Sequence, residues 1–479
     1  MKQYMTSFSE SRPLLEISKS LTSINKIQHL KIFGFRIILN PSVSLTNFIC
    51  LLFLSAFLNY IVVPINMLQF PLLGIVYYQH HSQRDDITAI SQIFELFTCL
   101  FMSQIYGKLC DTYGRRPFIA YGMILICLAT SIISHLPSVN PYFFFIRFLY
   151  INGYTSLIIV PLLADYIDQR TQGVVASLIN ITGNLGAFLS ISSVQKSELF
   201  YSISSILTSF GLRSLVIGFA IILGLKEGTE EQTSHVEKER VSMHTINYSS
   251  LEFTTSHQGS ESPFEGSLRE EEQEEETIMI KKEAPPMIDH KLCVAFILGF
   301  IGTAQSCLLG FSLIKFVINV TGNEGATSHS YELANLSVFT GIFSSIIYGF
   351  FADFLPKWKL SLATISFSVI AEIILIRIGD PYCNLAHFSM VLFGLASSGY
   401  NILNIQLISR HSPPSYRAAI NAFNTIVCTL GAGSINIVGL YLSRFSHLVP
   451  FYMHLIFSTI GVIVIIYLYV KEREIILQL

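Results

Sequence analysis

Charge is what this sequence has least of. Asp, Glu, Lys and Arg make up 13% of its 479 residues, where a soluble globular chain carries roughly a quarter. Hydrophobic residues make up 51%, and the mean hydropathy is +0.54. That balance excludes an ordinary water-soluble domain and places the chain in a bilayer. Basic excess is absent too: the formal net charge is −2, so binding of nucleic acid is not expected. No glycine loop followed by Lys and Ser or Thr occurs, so no ATP site is expected. Cysteines number eight. Seven of them (Cys50, Cys99, Cys110, Cys127, Cys293, Cys307 and Cys428) lie in apolar runs or at their cytoplasmic ends. Cys383 stands alone in a loop expected on the other side, so no disulfide is expected. No metal-ligand spacing appears, and no cofactor is expected. No short apolar core with a small-residue cleavage site opens the chain, so no cleaved signal peptide is expected.

Long apolar runs are abundant instead. They fall at about 44–66, 86–107, 117–136, 141–164, 172–193 and 200–225, then at about 291–319, 331–353, 360–378, 384–408, 416–441 and 447–470. Each approaches the roughly 20 residues that a helix needs to cross a bilayer. The organisation expected is a cytoplasmic tail (1–43), a six-helix bundle (44–226), a linker (227–289), a second six-helix bundle (290–470) and a short tail (471–479). Lys108, Arg115, Arg116, Arg170, Lys357, Lys359, Arg410, Arg417 and Lys471 all fall in one set of loops. The opposite loops hold little beyond Arg84, Lys196 and Arg444. The positive-inside rule therefore puts both termini in the cytoplasm. The linker is rich in Ser, Thr and Glu and contains the run Glu270-Glu271-Glu272-Gln273-Glu274-Glu275-Glu276. It has too little apolar surface to fold alone and reads as a disordered, acidic cytoplasmic tether. Residues 21–39 interleave Ile24, Ile27, Leu30 and Ile38 with Lys26, Lys31 and Arg36. They read either as a basic amphipathic helix on the membrane surface or as a loosely ordered lead-in.

The turn between the second and third runs reads Gly107-Lys108-Leu109-Cys110-Asp111-Thr112-Tyr113-Gly114-Arg115-Arg116-Pro117. Glycines suit a turn where backbones approach closely and φ turns positive. An Asp followed by paired Arg is costly near lipid unless the groups pair with one another or with helix ends. A weaker copy, Gly349-Phe350-Phe351-Ala352-Asp353-Phe354-Leu355-Pro356-Lys357, lies between the eighth and ninth runs. Two copies at corresponding places indicate an internal repeat. The first copy resembles the signature of the major facilitator superfamily of transporters, with Thr112 where a basic residue is common. Arg147-Phe148-Leu149-Tyr150-Ile151-Asn152-Gly153 resembles that family's fourth-helix motif, although Tyr150 and Ile151 replace its Gln-Gly pair. The stretches Ala164–Gly173 and Pro413–Ala418 resemble its loops after the fourth and tenth helices. The resemblance implies an all-α membrane protein: twelve transmembrane helices in two six-helix pseudo-repeats around a central cavity, working by alternating access. It further implies a cytoplasmic latch built from Gly107, Asp111, Gly114, Arg115, Arg116, Asp165, Gly349, Asp353 and Lys357. In that latch Asp111 faces the start of the eleventh helix, and Asp165 pairs with Arg115 or Arg116.

Polar groups inside membrane helices are the default site candidates. Here they are Asn59, Glu95, Arg147, Lys315, Glu372, Asn401 and Asn404. Glu95 and Glu372 are the candidate proton carriers, because a carboxyl in a low-dielectric site can hold and release a proton. Glu372 has Arg377 as a candidate partner. Lys315 reads either as an anion contact or as a side chain snorkelling to the non-cytoplasmic surface. The resemblance implies secondary transport of a small solute, by proton-coupled symport or by uniport. The superfamily's antiporters carry Gly-Pro-x-x-Gly-Gly in the fifth helix, where this chain has Gly183-Asn184-Leu185-Gly186 and no proline. That absence favours symport or uniport and leaves drug-type proton antiport as one alternative; a non-transporting sensor or scaffold acting through the linker is the other. Glu10-Ser11-Arg12-Pro13-Leu14-Leu15 resembles an acidic dileucine signal read by sorting adaptors. It favours an endosomal, lysosomal or vacuolar membrane, with the plasma membrane as the alternative.

Overall fold

The computed structural model describes residues 28–32, 35–40, 43–158, 162–197, 202–225, 289–322, 327–413, 416–443 and 445–478. The dileucine stretch and nearly all of the linker lie outside them. Among the described residues, twelve helices are long and apolar enough to cross a membrane. We name them α1 (Leu45–Gln69), α2 (Asp86–Cys110), α3 (Arg116–His135), α4 (Val139–Tyr166), α5 (Gln172–Lys196) and α6 (Ile203–Gly224) in the first half. The second half holds α7 (His290–Thr321), α8 (Ser328–Phe354), α9 (Lys357–Ile378), α10 (Asn384–His411), α11 (Arg417–Gly439) and α12 (Val449–Lys471). The apolar runs locate all twelve, because a span must bury its backbone polar groups internally and expose apolar side chains to lipid. Large side chains such as Phe53, Phe101, Phe219, Phe343 and Ile463 are accordingly exposed on the outer surface. None of the eight cysteines is in a disulfide.

Local chemistry sets several helix ends. The Ser44 side chain accepts from the Asn47 N–H and caps α1. The helix containing α2 ends at Gly114, whose φ of 88° and ψ of 178° suit glycine alone. Among the described residues, four spans depart from regular α geometry: α3 ends in a 3-10 turn at Ile133–His135, and α4 opens on a π-helical one at Val139–Phe143. A π-helical turn interrupts α7 at Leu308–Ser312, and another lies in α11 at Ser434–Gly439. Such turns loosen a helix locally and recur at functional places.

The two halves meet along two seams, α2 against α11 and α5 against α8. The signature glycines sit on these seams. A Cβ on Gly107 would stand 3.0 Å from the Ala422 Cβ and 3.2 Å from the Ala418 carbonyl of α11. A Cβ on Gly349 would stand 2.5 Å from the Ser177 side chain of α5. Both repeats thus use the first glycine of the signature to bring the halves together at the Lys- and Arg-rich end, which is the cytoplasmic side by the positive-inside rule.

Neither reading of residues 21–39 holds over their described part. Strands β1 (Gln28–Ile32) and β2 (Phe35–Leu39) form an antiparallel hairpin, pairing Gln28 with Leu39 and Ile32 with Phe35. Ile37 and Leu39 are 0% and 2% exposed. They are two residues apart and share one face, as strand geometry requires. Ile38, between them, is only half-buried. What stabilises the strand is tertiary. The Asp168 N–H donates to the Ile38 carbonyl at 3.1 Å, and the Asn40 N–H donates to the Tyr166 carbonyl at 3.0 Å. The hairpin thereby lies along the loop between α4 and α5.

Candidate functional site

At the Lys- and Arg-rich end, Asp165 closes α4. One carboxylate oxygen lies 3.1 Å from Arg115 Nε, and the other lies 3.0 Å from Arg417 Nη1. Arg115 belongs to the signature turn and also donates to the Cys110 carbonyl at 2.7 Å, satisfying the exposed end of α2. Arg417 begins α11 in the other half. One carboxylate thus ties the signature of the first half to the second half. Of the two arginines considered for Asp165, Arg115 is the partner, while Arg116 is exposed. Asn40, just after the hairpin, donates to the Asp165 carbonyl at 2.7 Å.

The second copy makes a related junction. Asp353, at the end of α8, accepts from the Val174 N–H at 3.2 Å and from Gln406 Nε2 at 2.9 Å. Arg410 Nη2 lies 3.4 Å from the same carboxylate. Val174 lies in the first turn of α5, so a carboxylate of one half meets the positive end of a helix of the other. Lys357 stands beside Asp353 and Arg410, its ammonium enclosed and without a hydrogen bond. The side chain of Asp111, counterpart of Asp353, lies outside the described residues.

Deeper in the membrane, Glu95 on α2 and Arg147 on α4 approach each other, with Oε2 and Nη2 3.6 Å apart. Arg147 is 1% exposed, and its three guanidinium nitrogens make no hydrogen bond. Its guanidinium lies over the Tyr150 ring, 5.1 Å from the centroid. Glu95 shares a face of α2 with Gln92 and Cys99, which follow the i, i+3, i+7 pattern. Gln92 Oε1 accepts from Asn436 Nδ2 of α11 at 3.1 Å, and Thr429 Oγ1 of α11 donates to Cys99 Sγ at 3.1 Å. Glu95 therefore lies on the seam between the halves, and its side chain is 21% exposed.

The remaining candidates divide. Asn401 of α10 donates to Asn180 of α5 at 3.1 Å, another link across the halves. Asn180 in turn donates to Ser345 Oγ of α8 at 2.7 Å. Asn404 stays within its own half, donating to Ala295 O at 2.7 Å and exchanging hydrogen bonds with Asn424. Asn59 is exposed and donates to the Ser55 carbonyl at 3.2 Å, facing Gly183 of α5. Lys315 is half-buried in the last turns of α7. Glu372 is fully buried and meets His454 of α12, while Arg377 is exposed on another face of α9. Sequence reasoning missed His454, although a histidine inside an apolar run is itself an intramembrane titratable group. It also treated Arg410 only as a topology charge. Among the described residues, no group of three or more metal-ligating side chains occurs.

A sequence profile described as Major Facilitator Superfamily matches residues 48–434. No curated relative matches the sequence. Among solved structures, the proton:xylose symporter XylE bound to 6-bromo-6-deoxy-D-glucose is similar at a TM-score of 0.65 with 12% identity, over 88% of this chain and 94% of that one. XylE from E. coli in a partially occluded, inward-open conformation is similar at 0.61 with 11% identity, over 88% and 98%. The human organic anion transporter MFSD10 is similar at 0.60 with 11% identity, over 88% and 100%. At such identities the likeness speaks for the fold.

Proposed function

The chain belongs to the major facilitator superfamily, and from that premise we propose that it is a proton-coupled symporter of a small solute, with Glu95 and Arg147 as the coupling pair. Family and fold support secondary transport across a lipid bilayer, in which two halves rock around a site near the midplane. The observation that carries the finer reading is Arg147. A guanidinium in the membrane interior is expensive unless neutralised, yet among the described residues this one has a single carboxylate near it and no hydrogen bond.

The pair gives a simple cycle. Ionised Glu95 holds Arg147 through an attraction of about 4 kcal/mol at an effective dielectric near 20. A proton taken up by the Glu95 carboxylate removes that attraction. Arg147 then turns its planar fork to an acceptor group of the solute, with a carboxylate or similar anion the best geometric match. After the halves rock, Glu95 releases its proton to the opposite side. It reclaims Arg147, and the solute leaves. Proton and solute thus travel together, whereas plain uniport gives Glu95 no part. The missing α5 proline points away from drug-type antiport for the same chain.

The test is uptake by purified protein in liposomes, screening solute pools with and without an inward proton gradient. Gradient-stimulated uptake is expected, and Glu95→Gln should reduce it to the gradient-independent level. Equal stimulation in wild type and Glu95→Gln would refute the coupling role of Glu95. For the membrane address, the Glu10–Leu15 stretch supports endosomes, lysosomes or vacuoles and a sorting adaptor as partner. Leu14→Ala with Leu15→Ala should move a tagged chain to the plasma membrane. Unchanged location by microscopy would rule out the signal.

A further inference from the structure

Inside the second half, away from the seam, four helices converge on a buried polar cluster. Glu372 and Ser368 come from α9, His454 and Ser458 from α12, Gln305 from α7 and Tyr400 from α10. Each of the six is at most 1% exposed. His454 Nδ1 meets Glu372 Oε1, and His454 Nε2 meets the Ile301 carbonyl of α7 at 3.0 Å. Ser368 Oγ lies 3.0 Å from Glu372 Oε1 and 2.9 Å from Gln305 Oε1. Gln305 Nε2 donates to the Phe393 carbonyl of α10 at 2.9 Å. We propose that Glu372 and His454 form a second proton-binding site, which binds one proton as a unit and locks α7 to α9, α10 and α12 when occupied.

The argument is a count of protons. A carbonyl only accepts, so His454 Nε2 carries a hydrogen. Nδ1 then faces a carboxylate oxygen. With a neutral imidazole and an ionised Glu372, two lone pairs would oppose each other. The contact therefore holds one proton, either as imidazolium with carboxylate or as imidazole with carboxylic acid. In both forms the pair is neutral. Loss of that proton leaves one negative charge in a fully buried place. Among the described residues, no Lys or Arg pairs with Glu372. The titratable group facing the pair from α10 is Tyr400, and Tyr348 of α8 lies behind it, bonded to Thr364. The α7 face offers an amide and a carbonyl, and α12 adds Ser458, none of which neutralises an anion.

Release of the proton is therefore tied to motion. The anion is tolerated only if α12 and α9 part enough to admit water, which breaks the His454 contact with Ile301 and frees α7. The π-helical turn of α7 begins at Leu308, one turn beyond Gln305, so the freed segment is already irregular. Spare hydrogen-bonding capacity remains in the cluster. Among the described residues, Glu372 Oε2 and the Tyr400 hydroxyl make no hydrogen bond of good geometry, as befits a place that receives a proton or a water. This inference goes beyond the Glu95 reading and survives or fails without it.

The test is infrared difference spectroscopy on purified full-length protein during a pH titration. A carboxyl signal and an imidazole signal should change together at one pH in the wild type and in Glu95→Gln. Both should vanish in Glu372→Gln. His454→Gln should abolish the imidazole signal and displace the carboxyl one, and it carries the test if Glu372→Gln does not fold. Persistence of the paired signals in Glu372→Gln, or an unmoved carboxyl signal in His454→Gln, would overturn the proposal. Loss of gradient-driven uptake in Glu95→Gln with the paired signals intact separates the two sites.

Discussion

Arg147→Ala should all but abolish solute uptake, and Arg147→Lys should restore it only in part. The guanidinium is buried, faces Glu95 at 3.6 Å and lies over the Tyr150 ring. Truncation leaves the Glu95 carboxylate in the seam without its counter-charge. Removing one member of such a buried pair costs about 3–5 kcal/mol, equivalent to more than a hundredfold in any equilibrium that depends on it. Lysine supplies the charge but not the planar fork, and its compact ammonium makes different contacts with a carboxylate and with a ring face. Uptake should fall at least about a hundredfold in Arg147→Ala and about tenfold in Arg147→Lys, at matched incorporation into liposomes. Combining Arg147→Ala with Glu95→Gln should recover thermal stability, because no uncompensated charge remains, while uptake stays lost. If Arg147→Lys transports like the wild type, Arg147 serves as a packed cation without a role in binding solute.

The parts of this fold that the sequence disclosed are those governed by one-dimensional rules. A span needs a fixed length of apolar residues, so α1 to α12 followed directly. The repeated glycine and aspartate pattern marked the places where the halves touch, because close approach demands a small residue whatever lies opposite. Partners were harder to read. Glu372 had Arg377 five residues on, yet five residues along a helix turn a side chain to another face, and the true partner lies 82 positions away on α12. The hairpin failed to register for a similar reason. Gln28–Leu39 has the β-branched and aromatic content of a strand, but its edge is satisfied by Tyr166 and Asp168, and no local pattern announces that pairing. Glu95 and Arg147 were each flagged as isolated intramembrane charges. Only the crossing of α2 and α4 brings them together as a pair.

Asp165→Ala together with Asp353→Ala should open the cytoplasmic side. The two carboxylates close the same face through different chemistry. Asp165 holds Arg115 and Arg417, and Asp353 holds Arg410, Gln406 and the first turn of α5. The side chains involved in the Asp165 contacts are 7% to 15% exposed, so screening by water is limited. A loss of about 2 kcal/mol at each junction is reasonable for partly buried charged hydrogen bonds. The junctions share no residue, so the effects should add. A combined shift of about 4 kcal/mol changes the ratio of closed to open states close to a thousandfold. Ser177 is a suitable reporter, since it is 4% exposed and packs against Gly349. In a background with the native cysteines replaced, Ser177→Cys should be protected from a cytoplasmic maleimide reagent and become labelled in the double variant. Asp111→Asn should act in the same direction if Asp111 serves α11 as Asp353 serves α5. Gly349→Val should do so as well, because its side chain would occupy the space of Ser177 and force α5 from α8. Labelling unchanged in the double variant would mean that the seam packing closes the cytoplasmic side by itself. The charged junctions would then set registry between the halves, and the latch would have no part in choosing the conformational state.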